Sequence, residues 1–95
     1  MLTELFDALR DPTRRGILKL LQRGDMAAGD IGKHLVIAPS TLSAHLRVLK
    51  QAGLILPERH RTSIVYSLNV AAYEDALARI LEFFSVDSSN QEDYE

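Results

Sequence analysis

The 95-residue chain contains no cysteine, which excludes disulfides, thiolate metal sites and thiol redox sensing. No apolar run approaches the roughly 18 residues that a membrane-spanning helix needs, and no signal peptide opens the chain. A cytoplasmic location is the resulting expectation. Enzymatic activity finds no support either. There is no glycine-rich phosphate loop, no local arrangement of serine, histidine and acid, and no carboxylate pair that stands out. No cofactor is therefore expected. An overall positive charge is also missing, because the formal net charge is -2 and the pI lies near 5.9.

What is present is the composition of a soluble globular protein, 46% apolar and 25% charged. A chain of this length makes one domain with a modest core, and dimerisation would add to its stability. The charge is unevenly spread. Residues 87–95 hold Asp87, Glu92, Asp93 and Glu95 and no base, so that without them the basic residues outnumber the acidic ones by two. Between 33 and 61 stand Lys33, Arg47, Lys50, Arg59 and Arg61 against Glu58 alone, together with His34, His45 and His60. A basic middle between acidic ends is compatible with a nucleic-acid partner despite the unfavourable sum. The expected organisation is a folded domain over 1–86 and an acidic, disordered tail over 87–95.

Leu2, Leu5, Phe6 and Leu9 fall at i, i+3, i+4 and i+7 and predict a short amphipathic first helix. Asp11 can cap a second helix with Pro12 at its first position, running to about Gln22, burying Ile17, Leu18 and Leu21 and ending at Gly24. Arg14 and Arg15 lie in its first turn, where the helix dipole disfavours cations. They are expected to pair with Asp11 or Asp7 at the surface, with a phosphate contact as the alternative for one of them. A third helix starts near Ala27 and reaches Leu35. Its two glycines weaken it by roughly 1 kcal/mol each, so packing of Ile31 and Leu35 must hold it.

The central stretch is residues 39–50. Pro39 suits a helix start, whereas Ala38 is a poor cap. Leu42, Leu46 and Leu49 recur at i, i+4 and i+7 and face a core. The other side carries Ser40, Ser43, Ala44 and Arg47, short and hydrogen-bonding except for one fork-shaped cation, a surface that can enter a major groove. Gly53 suits the left-handed position after this helix. Residues 54–59 and 63–68 are β-prone and predict an antiparallel hairpin, with Pro57 confining its strand to an edge or a late start. Without glycine at the tip, a loop longer than two residues is expected there. Asn69 can cap a last helix with the stripe Tyr73, Ala76, Leu77, Ile80, Leu81 and Phe84. The reading is a mainly α protein with a small β-hairpin: a winged helix-turn-helix of five helices and a two-stranded wing. A helix-turn-helix core needs only the middle helices. The stripes on the first and last, namely Leu2, Leu5, Phe6, Leu9, Tyr73, Leu77, Ile80, Leu81 and Phe84, are the candidate dimer interface. The candidate DNA-binding residues are Ser40, Thr41, Ser43, Ala44, His45, Arg47 and Lys50 on the helix, and Arg59, His60, Arg61 and Thr62 on the wing. His45 borders the buried leucines and is read equally as a half-buried structural residue or as a phosphate ligand.

Several segments together resemble the ArsR/SmtB family of winged-helix repressors: Asp11-Pro12-Thr13-Arg14-Arg15-Gly16-Ile17-Leu18, Ala28-Gly29-Asp30-Ile31, Ser40-x-x-Ser43-x-His45-Leu46-x-x-Leu49, Gly53-Leu54-Ile55 and Tyr66-Ser67-Leu68. The likeness covers about residues 1–84 in the expected order, and within the family it is strongest to the SdpR-type autorepressors. It implies a homodimer that binds a palindromic operator in double-stranded DNA, usually near its own promoter, and a membrane protein as a sequestering partner. Many members of that family sense metals, and this chain departs from them. It has no cysteine for a third-helix site, and residues 70–84 offer only Glu74, Asp75 and Glu82, with no histidine. A zinc or nickel site needs converging nitrogen or sulfur donors, so no metal is expected. The alternatives are a sensor released by a small effector at the dimer interface, and a winged helix that docks protein. The latter would favour large apolar residues on the outer helix face and a neutral wing.

Overall fold

A computed structural model of the chain describes residues 2–85. The expected acidic tail lies outside the described residues. Within them the chain forms α1 (Leu2–Leu9), α2 (Pro12–Gln22), β1 (Met26–Ala27), α3 (Ala28–Leu35), α4 (Pro39–Gln51), β2 (Ile55–His60), β3 (Ser63–Leu68) and α5 (Val70–Phe84). This is the winged helix-turn-helix with five helices that the periodicities predict.

Each boundary has a local cause. Asp11 adopts extended backbone and accepts the Arg14 amide at 3.1 Å, while Pro12 occupies the first turn of α2. Gly53, at φ 79°, closes α4 in the left-handed region. Asn69 joins three elements. Its side-chain oxygen accepts the Ala72 amide at 3.2 Å to start α5, its side-chain amide donates to Gly53 O at 3.1 Å, and its backbone amide donates to Leu54 O at 2.9 Å.

The core is one cluster in which Ile17, Leu18 and Leu21 of α2 meet Ile31 of α3, Leu42, Leu46 and Leu49 of α4, Ile55 of β2 and Ala76 of α5. Leu49 and Ile31 are fully buried, each burial stabilising the fold by about 1.5–3 kcal/mol. Of the glycines of α3, Gly32 lies against α4: a Cβ there would sit 3.4 Å from a Leu42 methyl and 3.5 Å from Ile37 O, in ordinary van der Waals contact.

Two features differ from expectation. Residues 26–27 form a strand instead of the start of α3, which begins at Ala28; Met26 pairs with Tyr66 and Ala27 with Val65. The sheet is therefore three-stranded in the order β1-β3-β2, which leaves β2, with Pro57, as an edge strand. A two-residue strand carries no alternation to read, so only its pairing reveals it. The wing itself remains the two-stranded β2–β3 hairpin, but its turn is tight. His60 pairs with Ser63, and Arg61 and Thr62 alone make the turn. Arg61 takes φ 58° there, the left-handed value that the absence of glycine had argued against.

Val36 ends α3 with φ 53° and ψ 56°, and the Ile37 amide donates to Gly32 O at 3.2 Å across it. This is the Schellman arrangement, which favours glycine at the left-handed position. A β-branched residue pays about 1–2 kcal/mol for that conformation, and at 87% exposed Val36 recovers little by packing. Val36→Gly is expected to raise stability by about 1 kcal/mol, measured as a higher urea midpoint with an unchanged slope. A lower midpoint would show that the valine side chain stabilises this turn.

Candidate nucleic-acid interface

Burial of Leu42, Leu46 and Leu49 fixes the rotation of α4 about its axis. At 3.6 residues per turn, the opposite side is then Ser40, Ser43, Ala44 and Arg47, all exposed, with Thr41 and Lys50 exposed at its two edges. No acidic residue occurs in α4. Its N-terminus has no side-chain cap, since Ala38 provides none. Ser43, Leu46, Arg47 and Lys50 line a small cleft of about 190 Å³ together with Tyr66 of β3, so the end of the helix and the base of the wing share one surface. Tyr66 escaped the sequence reading because strand alternation alone does not tell which side of the hairpin faces α4.

His45 is not on that outer side. Its side chain is 17% exposed, and Nδ1 lies 3.2 Å from a terminal nitrogen of Arg14 and 3.8 Å from Asp11 Oδ2. The two contacts require opposite states of one nitrogen: an acceptor toward Arg14, a protonated donor toward Asp11. The shorter is within hydrogen-bond range and the longer is not. Arg14 holds no acceptor, so Nδ1 accepts from the guanidinium. Of the two readings of His45, the half-buried one describes its packing.

Arg14 and Arg15 also depart from expectation. Neither forms an ion pair with Asp7 or Asp11. Instead Arg14 donates from Nε to Ala8 O at 3.0 Å and from a terminal nitrogen to Asp7 O at 2.6 Å, while Arg15 donates to Leu9 O at 2.8 Å. These carbonyls belong to the last turn of α1, which has no basic residue of its own. Cations ill-placed for the dipole of α2 are thus well placed for that of α1. Asp7 pairs with Arg10 at 3.2 Å.

On the wing, Arg59, His60, Arg61 and Thr62 are all exposed at the tip. His60 Nε2 stands 3.6 Å from Glu58 Oε1, so the single acid of this region sits beside one of its bases.

The candidate dimer residues divide into two groups. Leu5, Leu9 and Tyr73 pack against their own core, and the Tyr73 hydroxyl accepts from Gln22 at 2.9 Å. Part of their surface is thereby committed within the protomer. Leu77, Leu81 and Phe84 are exposed, and Leu2, Phe6 and Ile80 are half-buried. Phe83, outside the predicted stripe, joins them: its ring meets Phe6 edge-on at 5.5 Å, and Phe84 meets Phe6 at 6.1 Å. Its signal was the Phe83-Phe84 pair at the end of the helix, which a single stripe cannot accommodate. Phe6, Arg10, Ile80 and Phe84 border an open groove of about 590 Å³ between α1 and α5. Among the described residues no three histidine, aspartate or glutamate side chains are grouped to hold a metal ion, and no helix is long and apolar enough to cross a membrane.

The family described as "Bacterial regulatory protein, arsR family" matches residues 11–56. The transcriptional repressor SdpR of Bacillus subtilis (strain 168) is 44% identical over 84 residues, 88% of this chain and 93% of that protein. The chain belongs to the arsR family. Solved structures agree with this. A possible transcriptional regulator for arsenical resistance superposes with a TM-score of 0.79 at 27% identity, covering 93% of this chain and 91% of that one. A homodimeric winged helix-turn-helix DNA-binding domain from Mycobacterium bovis, a possible ArsR-family regulator, gives 0.71 at 29% identity over 84% and 76% of the two chains. The arsR-family match spans the Asp11 cap to the start of β2 and so contains the whole helix-turn-helix. The family is one of regulatory proteins and gives the enzymatic reading no footing.

The Arg14 amide, donating to the Asp11 cap at the start of α2, holds the Asp11 carboxyl below its ordinary 3.8, with desolvation opposing and neighbouring positive charge adding to the shift. A depressed carboxylate stabilises the folded state above its unfolded pKa, and that contribution disappears as pH falls through the folded value. Asp11→Asn keeps a capping oxygen but does not titrate. Its melting temperature is expected to fall less steeply than that of the parent as pH is lowered below about 4. Equal slopes would show that the cap is not linked to acid stability.

Proposed function

We propose that this arsR-family protein is a homodimeric, metal-independent repressor that binds a palindromic operator, including one at its own promoter. The observation that carries the reading is the outer face of α4. Short hydroxyl and methyl side chains surround Arg47, with Lys50 beside them and no acid on the helix. Such a face admits close approach to base edges in a major groove. A face made for docking protein would present large apolar groups instead. Two protomers related by a two-fold axis would set their α4 helices about 34 Å apart, one turn of DNA. The wing tips at 59–62 then grip the flanking backbone, and occupancy of the promoter excludes polymerase. The names of the relatives support this reading: a transcriptional repressor and a homodimeric DNA-binding domain.

The dimer rests on α1 and α5, where Leu77, Leu81, Phe83 and Phe84 are exposed beside the Phe6 groove. Metal independence rests on the donor set. The chain has no cysteine, α5 carries only Glu74, Asp75 and Glu82, and Asp75 is engaged by Arg79 at 2.9 Å. Release from the operator follows from dilution, competition or sequestration by a second protein, a membrane protein by the SdpR-type likeness. A cytoplasmic location goes with this function.

Arg47→Ala is expected to lower both affinity and base discrimination, by about 1–3 kcal/mol for a bidentate guanine contact. Arg61→Ala should weaken all duplexes alike and reduce the salt slope by about one unit. Titrations of upstream and scrambled duplexes, with and without EDTA, check both variants. Unchanged sequence preference in Arg47→Ala would remove α4 from the groove, and loss of binding in EDTA would end the metal-independent reading. Leu81→Asp, at a position 71% exposed, should yield a folded monomer in sedimentation experiments. A persistent dimer would put the interface elsewhere.

A further inference from the structure

The side chain of Arg14 reaches three places on two different helices. Its Nε and one terminal nitrogen bond the Ala8 and Asp7 carbonyls at the end of α1, and its other terminal nitrogen bonds His45 Nδ1 on α4. Helix α1 carries part of the proposed dimer surface, and α4 carries the proposed groove-reading face. A guanidinium is planar, and its donors are fixed relative to one another, so three simultaneous bonds define an angle as well as a distance. The geometry points to Arg14 as the positioning residue that sets the recognition helix against the dimerisation helix.

His45 is the receiving end of this link. Because Nδ1 accepts from Arg14, the neutral ring carries its proton on Nε2. No buried side-chain nitrogen or oxygen among the described residues lacks a partner, and no bond to Nε2 occurs among them. That nitrogen therefore reaches solvent, and only the Arg14 edge of the ring is tied down. The neighbouring carboxylate of Asp11, 3.8 Å from Nδ1, is occupied by the Arg14 backbone amide. Asp11 thus caps α2 by accepting the Arg14 amide while the Arg14 side chain bridges the other two helices, so α1, α2 and α4 meet at a single arginine. Moving α1 in one protomer relative to its partner would carry α4 with it, and the separation of two recognition helices would be held to the dimer geometry.

This inference rests on the operator-binding reading above. Its test uses Arg14→Lys, which preserves charge but has a single nitrogen that cannot span both helices in the same geometry. Three duplexes are compared: the palindromic operator, and versions with the half-sites moved apart by one and by two base pairs. The wild-type protein is expected to reject the altered spacings. Arg14→Lys should bind the correct operator about tenfold less well while rejecting the altered ones less strongly, with dimerisation in the absence of DNA unchanged. Combined with His45→Gln, it should lose no more than about twofold beyond the worse single variant, as residues acting through one contact do. Nitrogen-15 spectra of the ring should show Nε2–H in the wild type and loss of that preference in Arg14→Lys, a signature that a general loss of stability does not produce.

An equal loss on all three duplexes, or an unchanged spacing preference, would overturn the inference and leave Arg14 as a residue that only bonds the carbonyls ending α1. An Nδ1–H ring in the wild type would overturn it as well. Failure of the wild-type protein to prefer any palindrome would instead bring down the operator reading, and this inference with it.

Discussion

The orientation of α4 depends on one constraint: three leucines, Leu42, Leu46 and Leu49, must be buried together. Each contributes on the order of 1.5–3 kcal/mol on burial, far more than any single surface contact could oppose. Once they are inside, the helix has no rotational freedom left, and Ser40, Ser43, Ala44 and Arg47 face out as a consequence. The surface proposed to read DNA is therefore selected by the core.

Around that constraint, short-range polar contacts fix where the helices begin and how they meet. Asp11 starts α2, and Asn69 starts α5 while also bonding the end of α4. Their value is positional. Asn69 ties the carbonyl of Gly53 to the first turn of α5, so the end of α4, the base of the hairpin and the last helix share one residue. The two arginines of α2 act likewise on α1. A sequence rule that treats each helix separately marks them as misplaced, but the fold uses them across the corner between two helices, where the same charge is favourable.

The pattern of what the sequence disclosed follows from these scales. The five helices, the caps at Asp11 and Asn69 and the buried stripe of α4 were legible, because hydrophobic periodicity and cap chemistry are local. So was the choice between the two faces of α4, which requires only a sign. The partners of Arg14 and His45 were not, since the contact joins positions 31 residues apart and depends on a crossing angle that no spacing encodes. The strand at Met26–Ala27 was hidden for a similar reason: it exists only through its pairing with Val65 and Tyr66. In the wing the general preference for glycine was overruled. Six consecutive pairings between β2 and β3 outweigh the cost of one left-handed arginine at Arg61, so the register closes the turn at two residues.

Two residues in the described chain take left-handed backbone without being glycine, Val36 and Arg61, and both stand exposed beside the proposed groove-reading helix or on the wing. For Arg61 the conformation has a plain return. The tight turn brings Arg59, His60, Arg61 and Thr62 together at the end of the hairpin, whereas a longer loop would spread the same charges over many conformations and, in the proposed complex, raise the entropy cost of ordering them on DNA. The basic tip thereby compensates for a chain whose net charge is negative. What matters to a phosphate is the charge within a Debye length, about 8–10 Å at ordinary salt. Within that range of the tip the nearby acid in sequence is Glu58, itself beside His60. Local concentration of charge at the hairpin tip, and not the sum over the chain, is what lets a protein of negative net charge present a cationic edge.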